Sequence, residues 1–306
     1  MNLAVLEQKT QQFITDNLKS DITKLILKGS PFKDITIQEL ANQIVAKQKS
    51  ELKLPTWFSV ENIYYPAKIS IEQTSSEITA NYKSKIITGN YIIDITGGLG
   101  VDCFYFSKQF KKVIHCEINK DLSAIVKHNY QQLNVNNIKT FSGDGVDFLK
   151  NNETIFDCIY IDPSRRNDIK GKVFLLKDCL PNVPKNIDFL FTKTNKILLK
   201  NSPILDISSA ISELKFVKEI HIIALKNEVK EVLFLLEKNY KNSIQIKTIN
   251  IQKEGNQQLN FNLQETVYSN YSEPLTYLYE PNAAILKSGG FHQVGYQLNI
   301  FKVHQH

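Results

Sequence analysis

At 306 residues, with 42% hydrophobic and 22% charged content, the chain is long enough for one large or two medium globular domains with a real core. It holds no apolar run of about 18 residues, and its start, MNLAVLEQKTQQF, has neither a cationic segment nor a small-residue cleavage site. Neither a membrane span nor a secretory signal is therefore expected. The formal net charge of +6 leans toward a polyanionic partner, although the lysines are spread along the chain as on an ordinary solvated surface.

Residues 1 to 68 read as an N-terminal helical module. LEQKTQQFITDNL and ITIQELANQIVAKQKSEL both carry apolar residues at three- and four-residue spacing, with Asp34 before the second and Gly29-Ser30-Pro31 as the break. Pro55 and Pro66 bracket an extended stretch with the single tryptophan, Trp57, which reads as a core anchor rather than a base platform. A helix is expected over 75–87, and Thr74 and Glu77 have the spacing of a capping box at its start.

From residue 91 short apolar runs alternate with helical segments: YIIDI, KVIHCEI, NIKTF, FDCIYI, KILLK and KEIHIIAL. Such alternation predicts an α/β fold, a mostly parallel sheet with helices on both faces. Asn227 and Glu228, after the sixth run, read as a helix start. SIQIKTINI and QLNFNL read as a hairpin around Glu254-Gly255-Asn256, and the residues from 274 onward as a small appended unit. Domains are expected at 1–68, 69–266 and 267–306. The four cysteines, Cys103, Cys116, Cys158 and Cys179, show no CxxC pairing and no histidine cluster at metal spacing. Free thiols in a reducing cytoplasm, and no metal, are the expectation.

The chemistry gathers where strands end. Ile93-Asp94-Ile95 opens into Thr96-Gly97-Gly98-Leu99-Gly100 and then a helix, a turn that lets main chain approach a ligand and presents amides to a negative group. A dinucleotide fingerprint would need a third glycine where Cys103 stands, which disfavours a nicotinamide dehydrogenase. Glu117 ends the next run, placed for ribose hydroxyls or simply an exposed strand-end acid. Asp144, in Ser142-Gly143-Asp144-Gly145, suits the exocyclic amine of adenine or a helix cap. The fourth run ends at Asp162-Pro163-Ser164-Arg165-Arg166, and these arginines are the only two in the chain. Paired guanidiniums suggest planar, bidentate contact that lysine would not supply, or ion pairs bracing the loop. Four successive strand ends thus carry acids or glycines on the carboxyl edge, where α/β sheets bind ligands.

In these residues the sequence resembles the class I methyltransferase superfamily. DITGGLG looks like its motif I, Glu117 motif II, Asp144 motif III and DPSRR motif IV. Over residues 50 to 300 it is similar to bacterial methyltransferases that carry THUMP-like C-terminal domains. The shared stretches are YPAKISIEQTSSEITANYK, DITGGLGVD, DPSRR, the SPILDIS segment and YLYEPNAAILKSGGF. Thr96 replaces the usual first glycine of motif I, and the sequence stops about where the THUMP-like domain would begin, so either it is a piece of a longer protein or that RNA-capturing domain is absent.

The resemblance implies a Rossmann-like seven-stranded sheet with a small ferredoxin-like segment at the C-terminus. It implies S-adenosyl-L-methionine as cofactor, bound by Asp94, Thr96, Gly97, Gly98, Gly100, Glu117 and Asp144. Asp162 and Pro163 would be the catalytic pair, accepting the hydrogens of an exocyclic amine and aligning its lone pair. Ser164 and Arg165 occupy the positions where relatives carry the motif with a base-stacking aromatic, and with Arg166 would bind substrate, since arginine stacks on bases or clamps phosphate. Structured RNA, a tRNA or rRNA, is the expected partner; a protein or small-molecule substrate, or cofactor binding without turnover, are the competing readings. Gln73, Ser75 and Ser76 are candidates for the methionine end of the cofactor, and Ser202, Pro203 and Asp206 for the substrate cleft; helix capping is the alternative for both serines and for Asp206.

Overall fold

The computed structural model describes residues 1–165 and 175–304. By its contacts the chain divides into two units, Met1–Cys158 and Ile159–His306.

The first unit opens with helices α1 (Gln8–Asp16), α2 (Ile22–Lys28), α3 (Ile37–Lys53), α4 (Pro55–Ser59), α5 (Lys68–Gln73) and α6 (Glu77–Ser84). Their apolar positions close on one another: Val5, Ile14, Leu25, Leu40 and Ile44 are buried in one cluster. The start of α3 is set by Thr36, not Asp34. The Thr36 N–H donates to Glu39 Oε2 at 2.8 Å and the Glu39 N–H to Thr36 Oγ1 at 3.2 Å, a reciprocal box that satisfies two donors at once. The box expected between Thr74 and Glu77 does not form. Thr74 ends α5, and Ser76 caps α6 by accepting from the Thr79 N–H. Glu77 instead accepts from the Thr56 N–H and hydroxyl, both at 2.6 Å, and from the Tyr105 hydroxyl at 2.7 Å. Trp57 is buried and meets Phe104 edge-on at 4.8 Å, as a core anchor does.

Three parallel strands follow in the order β1 (Tyr91–Asp94), β2 (Lys112–Glu117), β3 (Ile138–Ser142), with Asp94 beside His115 and Glu117 beside Ser142. Helices α7 (Val101–Phe106) and α8 (Lys120–Gln132) connect them, and α9 (Gly145–Lys150) follows β3. Parallel strands joined by helices all end at the same edge, so three strand-to-helix turns are brought together there. The helical N-terminus is tied to this half. The Asn129 side chain on α8 accepts from the Tyr64 N–H and donates to its carbonyl, both at 2.9 Å.

The second unit holds β4 (Cys158–Ile161, begun one residue earlier), the short pair β5 (Ser164–Arg165) and β6 (Cys179–Leu180), α10 (Val183–Lys193), β7 (Lys196–Asn201) and α11 (Ile207–Glu213). Then come β8 (Val217–Leu225), β9 (Glu228–Glu237), β10 (Gln245–Ile251), β11 (Gln257–Asn262), α12 (Ala283–Ser288) and α13 (Phe291–Leu298). The long strands lie in the order β4-β7-β9-β8-β10-β11. β7 runs parallel to β4, β9 is antiparallel to both its neighbours, β10 is parallel to β8, and β11 is antiparallel to β10. The helix start expected at Asn227 is a hairpin turn. Lys226 and Asn227 both have positive φ, 52° and 62°, the backbone of a two-residue turn matched to strand twist. The apolar run that follows, Val232–Leu236, is buried throughout and inserts as β9. Counting both units, nine long strands among the described residues stand where seven were expected. The surplus is the hairpin β10–β11, added outside β8.

Candidate functional site

In the first unit the glycine turn after β1 is clamped from three sides. Asp94 lies beneath it, 1% exposed: one oxygen accepts from the Thr96 N–H at 2.8 Å and hydroxyl at 3.1 Å, the other from the Cys103 thiol at 3.4 Å. Burial pushes the Asp94 carboxyl up to about 7. Asp94 is thus a brace under the turn, both its carboxyl oxygens taken up by protein donors. His115, wholly buried on β2, is held down to about 4 by the same desolvation. Its Nε2 lies 3.2 Å from the Gly98 carbonyl and, with the imidazole neutral and a carbonyl as partner, is the donor. Glu117 completes the clamp: Oε2 accepts from the Gly98 N–H at 2.9 Å and Oε1 from the Asn119 N–H at 2.7 Å.

The glycines of the turn differ in purpose. A methyl group on Gly97 would strike the His115 ring, and one on Gly100, at φ 79°, the Tyr130 hydroxyl. Both are small because the protein packs against them. Gly98, at φ 54°, has only the Thr96 carbonyl oxygen near that position, 3.8 Å away. Its outer side is open, so among the three it is the one whose main chain a ligand can approach.

The turn after β3 closes on the same edge. The Gly143 N–H donates to the Glu117 carbonyl at 2.9 Å, and Gly145 fits against Ile95 with no room for a side chain. Asp144 caps α9, its Oδ1 accepting from Val146 and Asp147 N–H groups at 2.7 and 3.0 Å, while its side chain stays exposed. So the structure brings Gly98, Glu117 and Asp144 together, with Thr96 and Gly97 in the supporting turn. It adds two residues that the sequence reading passed over: Ile118, 70% exposed directly after Glu117, and Phe141, 36% exposed before Gly143. Large apolar side chains left in solvent beside such a carboxylate are the signal that could have found them.

Ser75 and Ser76 are both taken up by protein contacts. Ser75 donates to Asp102 Oδ2 at 2.8 Å and accepts from Lys83 Nζ at 2.6 Å, and Lys83, wholly buried, pairs with Asp102 at 2.9 Å. These contacts join α6 to the first turn of α7. Ser76 is the α6 cap, and Gln73 is exposed at the end of α5.

In the second unit, Asp162 follows β4 and its Oδ2 is paired with Lys200 Nζ of β7. The Lys200 side chain is 10% exposed and that of Asp162 36%. Register explains the meeting, because β4 and β7 are adjacent parallel strands with Ile161 beside Leu199. Lys200 was not foreseen, since a lysine inside KILLK reads as a solvated residue. Pro163 is buried and Ser164 exposed; the Ser164 and Arg165 main chain pairs with Leu180 and Cys179. Arg166 lies outside the described residues. Asp206 caps α11 by accepting from the Ser209 N–H at 2.7 Å, and that contact holds its carboxyl below the usual range.

Residues 89–261 match the family model of the RNA cap guanine-N2 methyltransferases, and residues 277–306 that of a ferredoxin-like domain. No curated protein matches the chain. Among solved structures, a provisionally assigned methyltransferase from Porphyromonas gingivalis W83 is 28% identical, with a TM-score of 0.84 over 96% of this chain and 75% of that one. TrmK from M. capricolum, solved with S-adenosylhomocysteine, is 16% identical with a TM-score of 0.41, covering 57% of this chain and 71% of that one. An rRNA methylase from Streptococcus thermophilus is 13% identical with a TM-score of 0.37, covering 53% and 94%. Likeness as slight as the last two carries no weight.

Proposed function

The chain belongs to the RNA cap guanine-N2 methyltransferase family, and from that premise we propose that it methylates an exocyclic amine of a base in structured RNA, with S-adenosylmethionine as donor. The observation that carries the reading is the Glu117 carboxylate, half-exposed between the Gly98 and Asn119 amides beside a glycine whose outer side is open.

The residues fit that cofactor and not a pyrophosphate. A phosphate at this turn would seek the Gly98 N–H, but a carboxylate already occupies it, and a second anion there is repelled. A nucleoside bearing a cationic sulfonium meets no such penalty. Each Glu117 oxygen accepts one amide hydrogen and has capacity for another, which suits a pair of ribose hydroxyls. The exposed faces of Ile118 and Phe141 offer apolar cover for an adenine ring, and the exposed Asp144 an acceptor for its amine. When bound, the cofactor supplies a methyl carbon activated by positive sulfur.

The protein's share is then orientation and proton management. Asp162 and the Pro163 carbonyl accept the amine hydrogens, which fixes the direction of the nitrogen lone pair. Lys200, paired with Asp162, holds that carboxylate in one orientation, so Asp162 orients rather than strips the amine. Ser164, Arg165 and Arg166 contact the RNA. The +6 net charge favours a polyanion over a protein or small molecule as substrate.

Nucleoside profiling by mass spectrometry, on total RNA from cells with and without this gene, tests the assignment. One N-methylated nucleoside should vanish in the deletion and return with the intact chain but not with Asp162→Ala. An unchanged profile, with methyl incorporation into protein instead, overturns the RNA substrate. Calorimetric binding of NAD in place of S-adenosylhomocysteine overturns the cofactor.

A further inference from the structure

The C-terminal segment contains a cavity of about 180 Å³ that the proposed chemistry does not use. Tyr268, Tyr296 and Phe301 give it rings, Asn270 and Asn299 give it amides, and Gly295 forms part of its lining. The rings are not core: Tyr268 is 82%, Tyr296 64% and Phe301 52% exposed. The cavity's frame is nonetheless well tied. Asn299 ends α13 at φ 53°, and the Ile300 N–H returns to the Gly295 carbonyl at 3.0 Å. The Lys302 N–H donates to the Asn270 carbonyl at 2.8 Å, and the Ser272 N–H to the Lys302 carbonyl at 3.0 Å. Gly295 permits this closeness, because a methyl group there would sit 3.0 Å from Ser269 Oγ. Neither the Asn270 nor the Asn299 side-chain amide has a hydrogen-bond partner among the described residues.

We infer that this cavity is an RNA-binding subsite that takes one unstacked nucleobase between the Tyr296, Tyr268 and Phe301 rings, its edge read by the Asn270 and Asn299 amides. Resting on the RNA reading above, the inference adds where a single-stranded part of the substrate is held. Aromatic rings accept the π-face of any base, and an amide offers one acceptor and two donors, the complement of a base edge. Asn270 and Asn299 are exposed; an apolar side chain would cover their amides without pairing them, whereas a base edge pairs with them.

The full chain can be titrated with a short oligoribonucleotide carrying one 2-aminopurine, whose fluorescence is quenched on stacking. The wild-type chain should bind it with quenching. Tyr296→Ala should weaken binding about tenfold, the loss expected for one base stack, and reduce the quench, while Tyr296→Phe should restore both. Asn299→Gly, which keeps the left-handed backbone but removes the amide, should level the affinities for oligomers that differ in the probed base. S-adenosylhomocysteine binding should be the same in all variants. Wild-type chain that binds no oligoribonucleotide, or Tyr296→Ala that binds and quenches as wild type, overturns the subsite; so does tighter capture of a peptide than of RNA that Tyr296→Ala abolishes. Nucleoside profiling fails or succeeds independently, so loss of the RNA substrate is told apart from loss of the subsite.

Discussion

At Glu117 two main-chain amides from different turns converge on one carboxylate, and this residue is where cofactor affinity should be most sensitive. Glu117→Gln puts an NH2 group against one of those N–H donors and removes the charge. The expected loss of S-adenosylhomocysteine affinity by calorimetry is about tenfold or more, roughly 1.4 kcal/mol. Asp162 should behave in the opposite way. Asp162→Ala should slow methyl transfer about a hundredfold or more with cofactor affinity within about twofold, and Asp162→Asn, which retains an acceptor, should recover part of the rate. Lys200→Met should lower the rate, since Asp162 would lose the cation that holds its carboxylate in place. Cofactor binding lost in Asp162→Ala would place that residue in a different role. Glu117 and Asp162 were visible in the sequence because each is an acid ending an apolar run. Lys200 was not, because a partner 38 residues away in the chain is fixed only by sheet register.

The turn after β1 shows how one short element divides its labour. Gly97→Ala and Gly100→Ala should each destabilise the fold by about 1–3 kcal/mol, read as a fall in Tm, because a methyl group meets the His115 ring or the Tyr130 hydroxyl. Gly98→Ala faces open space and carries only the cost of a left-handed backbone, about 1–2 kcal/mol; its main defect should be weaker S-adenosylhomocysteine binding. A Gly98→Ala chain that binds as wild type would remove the cofactor from this turn. Glycine spacing alone gives these three residues one meaning. Only their neighbours, His115 and Tyr130 for two of them and nothing for the third, assign them different ones. Elsewhere, local pattern failed where tertiary pairing prevailed: EVKEVLFLL has a helix-compatible sequence, yet sheet burial and the Lys226-Asn227 turn make it β9.

Across the whole molecule the buried Asp94 carboxyl sets a pH trend. Its folded value, raised to about 7, lies above the unfolded one near 3.9, so between these limits the native state holds a proton that the unfolded state has released. Stability from this group therefore falls as pH rises from about 4 to about 7 and is level beyond. Asp94→Asn keeps the oxygen that accepts from Thr96 and cannot ionise. Its Tm relative to wild type should climb over that window, and a difference independent of pH would show that Asp94 is not protonated in the folded chain.

Taken by itself, the sequence determined the α/β alternation, the carboxyl-edge acids and the glycine turn, because each follows from local spacing and the chemistry of single residues. It also determined the β10–β11 hairpin, which a short turn encodes locally. What only the tertiary structure decided was which side of each residue meets protein and which meets solvent. Asp94 turned inward, Ser75 was taken up by a buried Lys83–Asp102 pair, Lys200 reached Asp162, and Tyr268, Tyr296 and Phe301 gathered around one cavity. Those outcomes depend on contacts between segments far apart in the chain, and residue spacing carries no record of them.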